Sequence, residues 1–136
     1  MSTRSLIAIK EIGKEEIKVI YCHHDGYFEY VGAVLLKHYN NPDKVRELIK
    51  LGNLSSLGAT LKDTVAYMRD WGESEEEATV MTNSDALFNK DDVFAEYRYL
   101  YDVDKETWFA AKGVYEYNGK ISKPIIKELS LFIEKE

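Results

Sequence analysis

The sequence predicts an α+β fold, in which an antiparallel sheet of about five or six strands packs on two or three helices. Three observations favour it: short apolar runs that partly alternate with polar residues, segments with apolar residues three or four apart, and turn residues between them. The chain has 136 residues, of which 45% are hydrophobic, enough to bury a core without a disulfide or a metal. We therefore expect residues 1–136 to form a single α+β domain.

The N-terminal segment has the pattern of a β-hairpin. Residues 6–12 and 17–22 are apolar, partly alternating runs, and the short connection between them contains Gly13, a residue typical of hairpin loops. The side chains expected on the inward face of the hairpin are those of Ile17, Val19 and Tyr21.

Two helices are expected after the hairpin. An apolar stripe at helical spacing predicts the first, which should end at Asn40. For the second helix, Asn41 is a favourable N-cap residue, Pro42 suits the first turn, and Gly52 suits the position beyond the end. The two stripes consist of Phe28, Val31, Leu35 and Tyr39 in the first helix and of Val45, Leu48 and Ile49 in the second.

The middle of the chain carries weaker signals. Residues 54–58 are expected to form a loop, and residues 64–69 a strand. The acidic segment 72–77 has the composition of a solvated loop or of a helix start, and the pattern of residues 78–92 favours neither a helix nor a strand. The side chains expected on one face of the strand are those of Val65, Tyr67 and Arg69.

The last part of the chain is expected to contain strands and a final helix. Residues 94–101 and 107–111 are rich in residues that favour strands, and Asn118-Gly119 is the dipeptide favoured in type I′ hairpin turns. A C-terminal helix is expected from Ser122 onwards. Its stripe would consist of Ile125, Leu129 and Ile133. The residues expected on one face of the first strand, packed under a helix, are Tyr97, Tyr99 and Tyr101, with Glu96 and Arg98 on the other face.

Composition excludes several classes of protein. The net charge of −6 disfavours nonspecific binding to nucleic acid, and no apolar run approaches the length of a membrane span. The N-terminal apolar run is too short for a secretory signal, and the single cysteine, Cys22, fits a reducing compartment, so a cytoplasmic location is expected. The sequence lacks a Gly-rich phosphate loop, a nucleophile elbow and a kinase signature, and it indicates no cofactor.

A first cluster of polar residues lies where the second strand gives way to the first helix. His23 and Asp25 alternate along the chain, so they could share a face on which the carboxylate orients the imidazole. A second interpretation is that Asp25-Gly26 makes the turn and caps the helix near Tyr27. A metal would need three or four ligands, and His38 is the only other histidine, so no metal is predicted.

A second cluster lies at the end of the strand expected over residues 64–69. Arg69 and Trp71 together offer a cation and a stacking surface, the combination that holds phosphate-bearing or planar ligands. A structural interpretation is equally open, in which Arg69 pairs with Asp25 or Asp70. If the two clusters meet, the ligand-binding residues would be Arg4, His23, Asp25, Tyr27, Arg69, Asp70 and Trp71. The two arginines would then hold phosphate, Tyr27 or Trp71 would stack, and His23 would be the acid/base if there is chemistry.

The N-terminal half, residues 1–72, resembles small proteins of unknown function encoded by bacteriophages and prophages. The motifs that carry the resemblance are Thr3-Arg4-Ser5, Tyr21-Cys22-His23 with Asp25-Gly26-Tyr27, Leu54-Ser55-Ser56-Leu57-Gly58, and Arg69-Asp70. The chain has His24 where that group is expected to have a tryptophan. No established activity comes with the resemblance.

The resemblance implies an accessory protein that acts on host machinery in the host cytoplasm. The missing catalytic motifs, the acidity and the ten tyrosines favour a noncatalytic inhibitor or binder of a host defence component, similar in role to anti-CRISPR proteins. The alternative is a small-ligand site that sequesters or processes a nucleotide-like molecule. A virion or assembly component is a third interpretation, and the composition is compatible with a homo-oligomer.

Overall fold

The fold is α+β, as the sequence predicts, and the described residues form four α-helices and a mixed, open sheet of eight strands. The computed structural model describes residues 3–89, 95–112, 115–117, 120–122 and 125–133. Eight strands exceed the expected five or six, because short strands occur in segments where the sequence predicts a loop, a helix or no defined element.

The strands form one main sheet and one separate pair. The main sheet consists of β1 (Ser5–Lys10), β2 (Ile17–Cys22), β3 (Leu54–Ser56), β4 (Val65–Ala66), β5 (Thr79–Met81), β6 (Tyr97–Asp102), β7 (Thr107–Lys112) and β10 (Lys127–Glu128). Its order is β10-β7-β6-β1-β2-β3-β4, and β5 pairs with the start of β2 while β3 pairs with its end. A separate antiparallel pair is formed by β8 (Tyr115–Tyr117) and β9 (Lys120–Ser122). The turn expected at residues 118–119 lies outside the described residues.

The helices are short and lie between the strands. They are α1 (Ala33–His38), α2 (Pro42–Lys50), α3 (Tyr67–Trp71) and α4 (Ser84–Phe88). A π-helical turn, Phe28–Gly32, leads into α1, so the first expected helix is confirmed but ends before Asn40. The expected second helix is confirmed as α2, where the Asn41 side chain accepts a hydrogen bond from the Lys44 amide at 3.0 Å.

The expectation of an antiparallel sheet is wrong, because two of the pairings are parallel. β1 lies parallel to β6 along its whole length, and β2 lies parallel to β3 at Cys22 and Leu54. The hairpin of β1 and β2 and the pair of β6 and β7 are antiparallel, as expected. Alternation along a strand sets which face each side chain occupies, but it does not set the direction of a partner that comes from a distant part of the chain.

Three local expectations differ from the structure. The C-terminal helix is absent from residues 125–133, which form β10 and a 3₁₀ turn, Leu129–Phe132. Ile125 is 68% exposed there, so the helical spacing of its apolar residues does not correspond to a buried stripe. Residues 54–58 contain β3 instead of only a loop. The strand expected over 64–69 is reduced to β4, since the chain turns into α3 at Tyr67.

Each face of the sheet packs against its own hydrophobic core. The larger core lies under α1 and α2 and includes Tyr99, Tyr101 and Trp108, which confirms that the tyrosine face of β6 is covered. The smaller core lies on the opposite face, with α4 over it, and contains Ile17 and Val19 with Tyr21 packed against them. Arg98 is fully buried on that face and donates to the backbone carbonyls of Ala95 and Leu87.

The sequence makes no single prediction for the segments 72–77 and 78–92, and the structure shows what most of their residues form. Residues 73–77 contain neither helix nor strand, as a solvated acidic loop would. The segment 78–92 contributes β5 and α4 up to residue 89, and the rest of it lies outside the described residues.

Candidate functional site

The two strand ends that carry the sequence-predicted site lie at the same side of the sheet. Beyond β2, the His23 and His24 amides donate to the carbonyls of Leu54 and Ser55, both at 3.0 Å. Beyond β4, the Tyr67 amide donates to the Asn53 carbonyl at 3.2 Å. Only β3 separates the two ends, which corresponds to two interstrand spacings, about 10 Å.

Tyr21 and Tyr67 are partly buried tyrosines at the two strand ends. Burial is the main cause that raises the pKa of the Tyr21 hydroxyl, and the Tyr67 hydroxyl raises it further, whereas Arg4 lowers it. Burial also raises the pKa of Tyr67, against a hydrogen bond with Ser55. The two phenols are therefore close enough to interact electrostatically, and both remain protonated at neutral pH.

His23 is the centre of the first cluster. Its Nδ1 atom lies 2.7 Å from the Tyr21 hydroxyl and 3.4 Å from Nε of Arg4. Burial lowers the pKa of His23, and the neighbouring His24 and Arg4 lower it further. A neutral imidazole that accepts at Nδ1 carries its proton on Nε2, so the ring presents a donor on its other edge.

His24 points away from that contact. Its Nδ1 atom lies 2.8 Å from the Ser55 carbonyl oxygen, and its ring meets the His23 ring edge-on with 4.6 Å between centroids. The side chain is exposed, so it extends the aromatic surface beside His23 without sharing its hydrogen bonds.

Asp25, Gly26 and Tyr27 form the turn between β2 and the π-helical turn. Asp25 has a φ of 56°, and its carbonyl accepts from the Val31 amide at 3.2 Å. The Gly26 carbonyl accepts from the Tyr99 hydroxyl at 2.6 Å, and the Tyr27 carbonyl accepts from two amides of the following turn. These contacts confirm the turn, but the capping part of that interpretation is wrong, because in the part of the chain that the structure describes no side chain caps the π-helical turn at Tyr27. His23 is oriented by Tyr21 and Arg4, and no contact with the Asp25 carboxylate is observed among the described residues.

Arg69 and Asp70 form a clamp around the loop that precedes β4. Arg69 donates from Nε and Nη2 to the two oxygens of Asp70, both at 2.9 Å, and from Nη1 to the Leu61 carbonyl at 2.9 Å. Nη2 also donates to the Thr64 carbonyl, and Asp70 accepts from the Ala66 amide at 2.8 Å. The hydrogen bonds from Arg69 hold the pKa of Asp70 below its usual range. The guanidinium is therefore engaged by Asp70 and this loop. Of the two interpretations of Arg69, these contacts support the structural one, in which it pairs with Asp70.

Trp71 is the most prominent exposed aromatic residue at these strand ends. It is 56% exposed, and its ring lies 5.0 Å from that of Tyr67. The chain leaves α3 at Gly72, and the Glu73 amide donates back to the Tyr67 carbonyl at 3.1 Å. We call Tyr67, Trp71, Glu73 and Glu75 the Trp71 surface.

Asn53 ties the acidic segment to the sheet, a role that the sequence did not indicate. Its amide donates to the Glu76 carbonyl at 2.7 Å, and its side-chain Nδ2 donates to Glu76 Oε1 at 3.0 Å. Its side-chain oxygen accepts from the Tyr21 amide at 2.8 Å. A single Asn in a loop carries no signal of such a role, because all its partners are distant in sequence.

The structure thus brings the predicted residues together only in part. Arg4 and His23 are in contact at the end of β2, whereas Arg69, Asp70 and Trp71 lie on α3, which follows β4, two strands further along the sheet. Asp25 and Tyr27 serve the turn. Tyr21 and Tyr67 were expected on strand faces and were not predicted as site residues, although the period-two spacing of Tyr21 and His23 places them on one face.

Comparison with known proteins finds no matching family model, no matching curated protein and no matching solved structure. In the part of the chain that the structure describes, no three His, Cys, Asp or Glu side chains are grouped so that they could hold a metal ion. Within the same residues, no helix has the length and apolar character needed to cross a membrane.

Proposed function

We propose that this protein is a noncatalytic binder that docks on a basic region of a partner protein through the Trp71 surface. The observation that carries the proposal is a half-exposed tryptophan on a short helix whose position is set by hydrogen bonds, beside a run of carboxylates. Exposed tryptophans are uncommon on ordinary surfaces and frequent among the residues that dominate binding energy.

Rigidity of the Trp71 surface supports this role. The Arg69–Asp70 clamp holds α3 against the loop before β4, and Asn53 holds the acidic segment at Glu76. A surface that is already ordered loses little conformational entropy when a partner binds, so more of the contact energy appears as affinity.

Charge supports a basic partner. Residues 70–77 contain five carboxylates and no Lys or Arg, and of these carboxylates Asp70 is neutralised by Arg69. Carboxylates around an aromatic side chain would steer a basic surface towards it and disfavour acidic partners. Their contribution is expected to appear mainly in the association rate and to weaken as salt rises.

The biological setting that we propose follows from the resemblance of residues 1–72 to bacteriophage and prophage proteins. In that setting the protein is an accessory factor in the host cytoplasm, and its partner is a component of host machinery. We propose a host defence component as the target, so that binding inhibits it as an anti-CRISPR protein would.

The test begins with affinity capture from host lysate by the wild-type protein, followed by measurement of the dissociation constant for the recovered partner. Trp71→Ala should weaken binding roughly 30-fold or more, since a hot-spot side chain contributes about 2 kcal/mol or more. Leu131→Ala is the matched control, because Leu131 is 69% exposed and lies in the C-terminal 3₁₀ turn. Recovery of the bait alone, or equal affinity of both variants, would contradict the proposal.

A second candidate function is a site for a nucleotide-like molecule, and the contact between Arg4 and His23 favours it. Arg4 supplies a cation and His23 an Nε2 donor beside it, a pair that suits phosphate oxygens. Arg69 does not support this candidate, because its guanidinium is committed to Asp70 and two carbonyls.

Thermal-shift measurements with nucleotides and cyclic dinucleotides test the second candidate. A ligand at about 100 times its dissociation constant stabilises the native state by about 2.7 kcal/mol, so the melting temperature of the wild type should rise by several degrees. His23→Gln should abolish the shift, and His38→Gln, on α1, should leave it unchanged. Absence of a shift with every nucleotide would rule the candidate out.

A further inference from the structure

A cavity of about 380 Å³ lies at the opposite end of the β1–β2 hairpin from His23. It is bounded by the end of β1 and the start of β2, by the C-terminal part of α2, and by β5 with the residues that precede it. Its volume lies within the range of sites that hold small molecules. None of the residues of the Trp71 surface lines it, although Glu77 belongs to the same acidic run, so the cavity is a site separate from that surface.

The wall of the cavity is largely apolar. Ile9 and Ile49 are buried at its base, and Val80, which is 61% exposed, stands at its opening. An exposed valine beside buried isoleucines leaves apolar surface in contact with water, which a bound hydrocarbon would cover. The residues that form the apolar wall are Ile9, Ile49, Ala78 and Val80.

Charged side chains surround that wall, and two of them are already paired. Arg46 donates from Nε and Nη2 to the two oxygens of Glu11, both at 2.8 Å, and from Nη1 to Asp43 at 3.0 Å. The hydrogen bonds from Arg46 lower the pKa of Glu11, so its carboxylate stays charged and occupied. This pair closes one side of the cavity and has little capacity left for a ligand.

Two lysines and one glutamate complete the charged lining of the cavity. Lys18 lies on β2, Lys50 ends α2, and Glu77 precedes β5. Among the described residues, none of the three forms an ion pair. Of the charged residues that line the cavity, Lys18, Arg46 and Lys50 are cationic and Glu11 and Glu77 are anionic, a formal excess of one positive charge, although the chain as a whole carries a net charge of −6.

We propose that this cavity binds a small organic anion with an apolar body. The carboxylate, sulfonate or phosphate of the ligand contacts the ammonium groups of Lys18 and Lys50, and its hydrocarbon part covers the apolar wall. The aliphatic stems of the two lysines lie along the ligand while their charges stay near water, as is usual for long basic side chains.

The proposal is tested with two fluorescent probes that share the same rings. Anilinonaphthalene sulfonate carries the anionic group, and phenyl naphthylamine lacks it. The sulfonate should bind the wild-type protein saturably and more tightly than the uncharged amine. Equal affinity of the two probes, or no saturable binding of the sulfonate, would overturn the proposal.

Variants locate the binding. The double variant Lys18→Gln/Lys50→Gln should weaken sulfonate binding about ten-fold, since each exposed ion pair contributes a factor of roughly two to five. Its binding of the uncharged probe should not change. Lys62→Gln is the matched control, because Lys62 is exposed in the loop before β4. Equal weakening by the control, or none by the double variant, would contradict the assignment.

A filled cavity gives an independent result. Ala78 is half-buried and lines the cavity. Ala78→Phe should remove binding of both probes, because the larger side chain would fill the space that the ligand needs. Circular dichroism and thermal unfolding establish whether this variant is folded. The lysine substitutions are at exposed positions and keep the test decisive if Ala78→Phe does not fold.

Discussion

Two buried tyrosines of β6 differ in what their hydroxyl groups contact. The Tyr99 hydroxyl donates to the Gly26 carbonyl at 2.6 Å and thereby fastens the turn after β2 to the centre of the sheet. The Tyr101 hydroxyl is also buried but has no hydrogen-bond partner among the described residues. Since buried polar groups cost free energy when they are unpaired, the two hydroxyls should have opposite effects on stability.

Removal of each hydroxyl tests this difference. Tyr99→Phe should lower the free energy of unfolding by about 1–3 kcal/mol, because it leaves the Gly26 carbonyl without its donor. Tyr101→Phe should leave stability unchanged or raise it by up to about 1 kcal/mol, because a desolvated hydroxyl is lost. Urea denaturation of both variants measures the change. A Tyr101→Phe variant as unstable as Tyr99→Phe would show that the Tyr101 hydroxyl is paired.

The site residues show how far single positions could be read from the sequence. Spacing predicted that Asp25 orients His23, whereas the structure has Tyr21 and Arg4 in contact with its ring. For Arg69, the neighbouring Asp70 and Trp71 indicated both a structural pairing and a ligand-binding role. Which role holds depends on the carbonyls of Leu61 and Thr64, which come within reach only when the loop folds back on α3. A backbone carbonyl has no sequence signature, so this part of the site could not be predicted.

Among the elements, α2 is the one whose local signals all agree with the structure. Its N-cap, its N-terminal proline and its buried stripe are those expected, and Gly52 follows its end with a φ of 81°. The glycine also allows a close approach, since a Cβ atom there would lie 2.3 Å from the Glu76 carbonyl oxygen. Gly52 therefore connects α2 to the acidic segment beside the Trp71 surface.

Alanine at Gly52 should be far more costly than alanine at a glycine with similar backbone geometry. Gly13 has a φ of 76°, and a Cβ atom there would meet nothing within 4 Å. Gly13→Ala should cost about 1–2 kcal/mol for the left-handed conformation alone, whereas Gly52→Ala should cost about 3 kcal/mol or more because it also displaces Glu76. Chemical denaturation measures the free energy of unfolding of both variants. Similar losses would show that residues 73–77 can move away from a Cβ atom at position 52 at no cost in stability.

Elements defined by long-range pairing were the ones that the sequence missed. β3 and β4 are too short to show a period, and they exist because their backbone groups pair with β2 and with each other. The C-terminal segment has helical spacing, yet Lys127 and Glu128 pair with Ala110 and Phe109 of β7. Pairing with an available strand edge outweighed a weak local preference.

At the scale of the whole molecule, β1 joins the two ends of the chain. It pairs with β2 on one side and with β6 on the other, so the N-terminal hairpin shares one sheet with β6, β7 and β10, and one face of that sheet packs on the core under α1 and α2. We expect such an arrangement to fold as one unit, and the single domain stays a prediction. The Trp71 surface and the cavity have no residue in common, so separate variants address each of them.

The sequence by itself determined the α+β class, the N-terminal hairpin, α2 and the tyrosine face of β6. These depend on local periodicity and on capping residues, which act between neighbours along the chain. Only the tertiary structure decided the parallel pairing of β1 with β6, the commitment of Arg69 to Asp70 and two carbonyls, and the cavity lined by Lys18 and Lys50. Each of these depends on backbone groups or side chains that are distant in sequence and meet only when the sheet has formed.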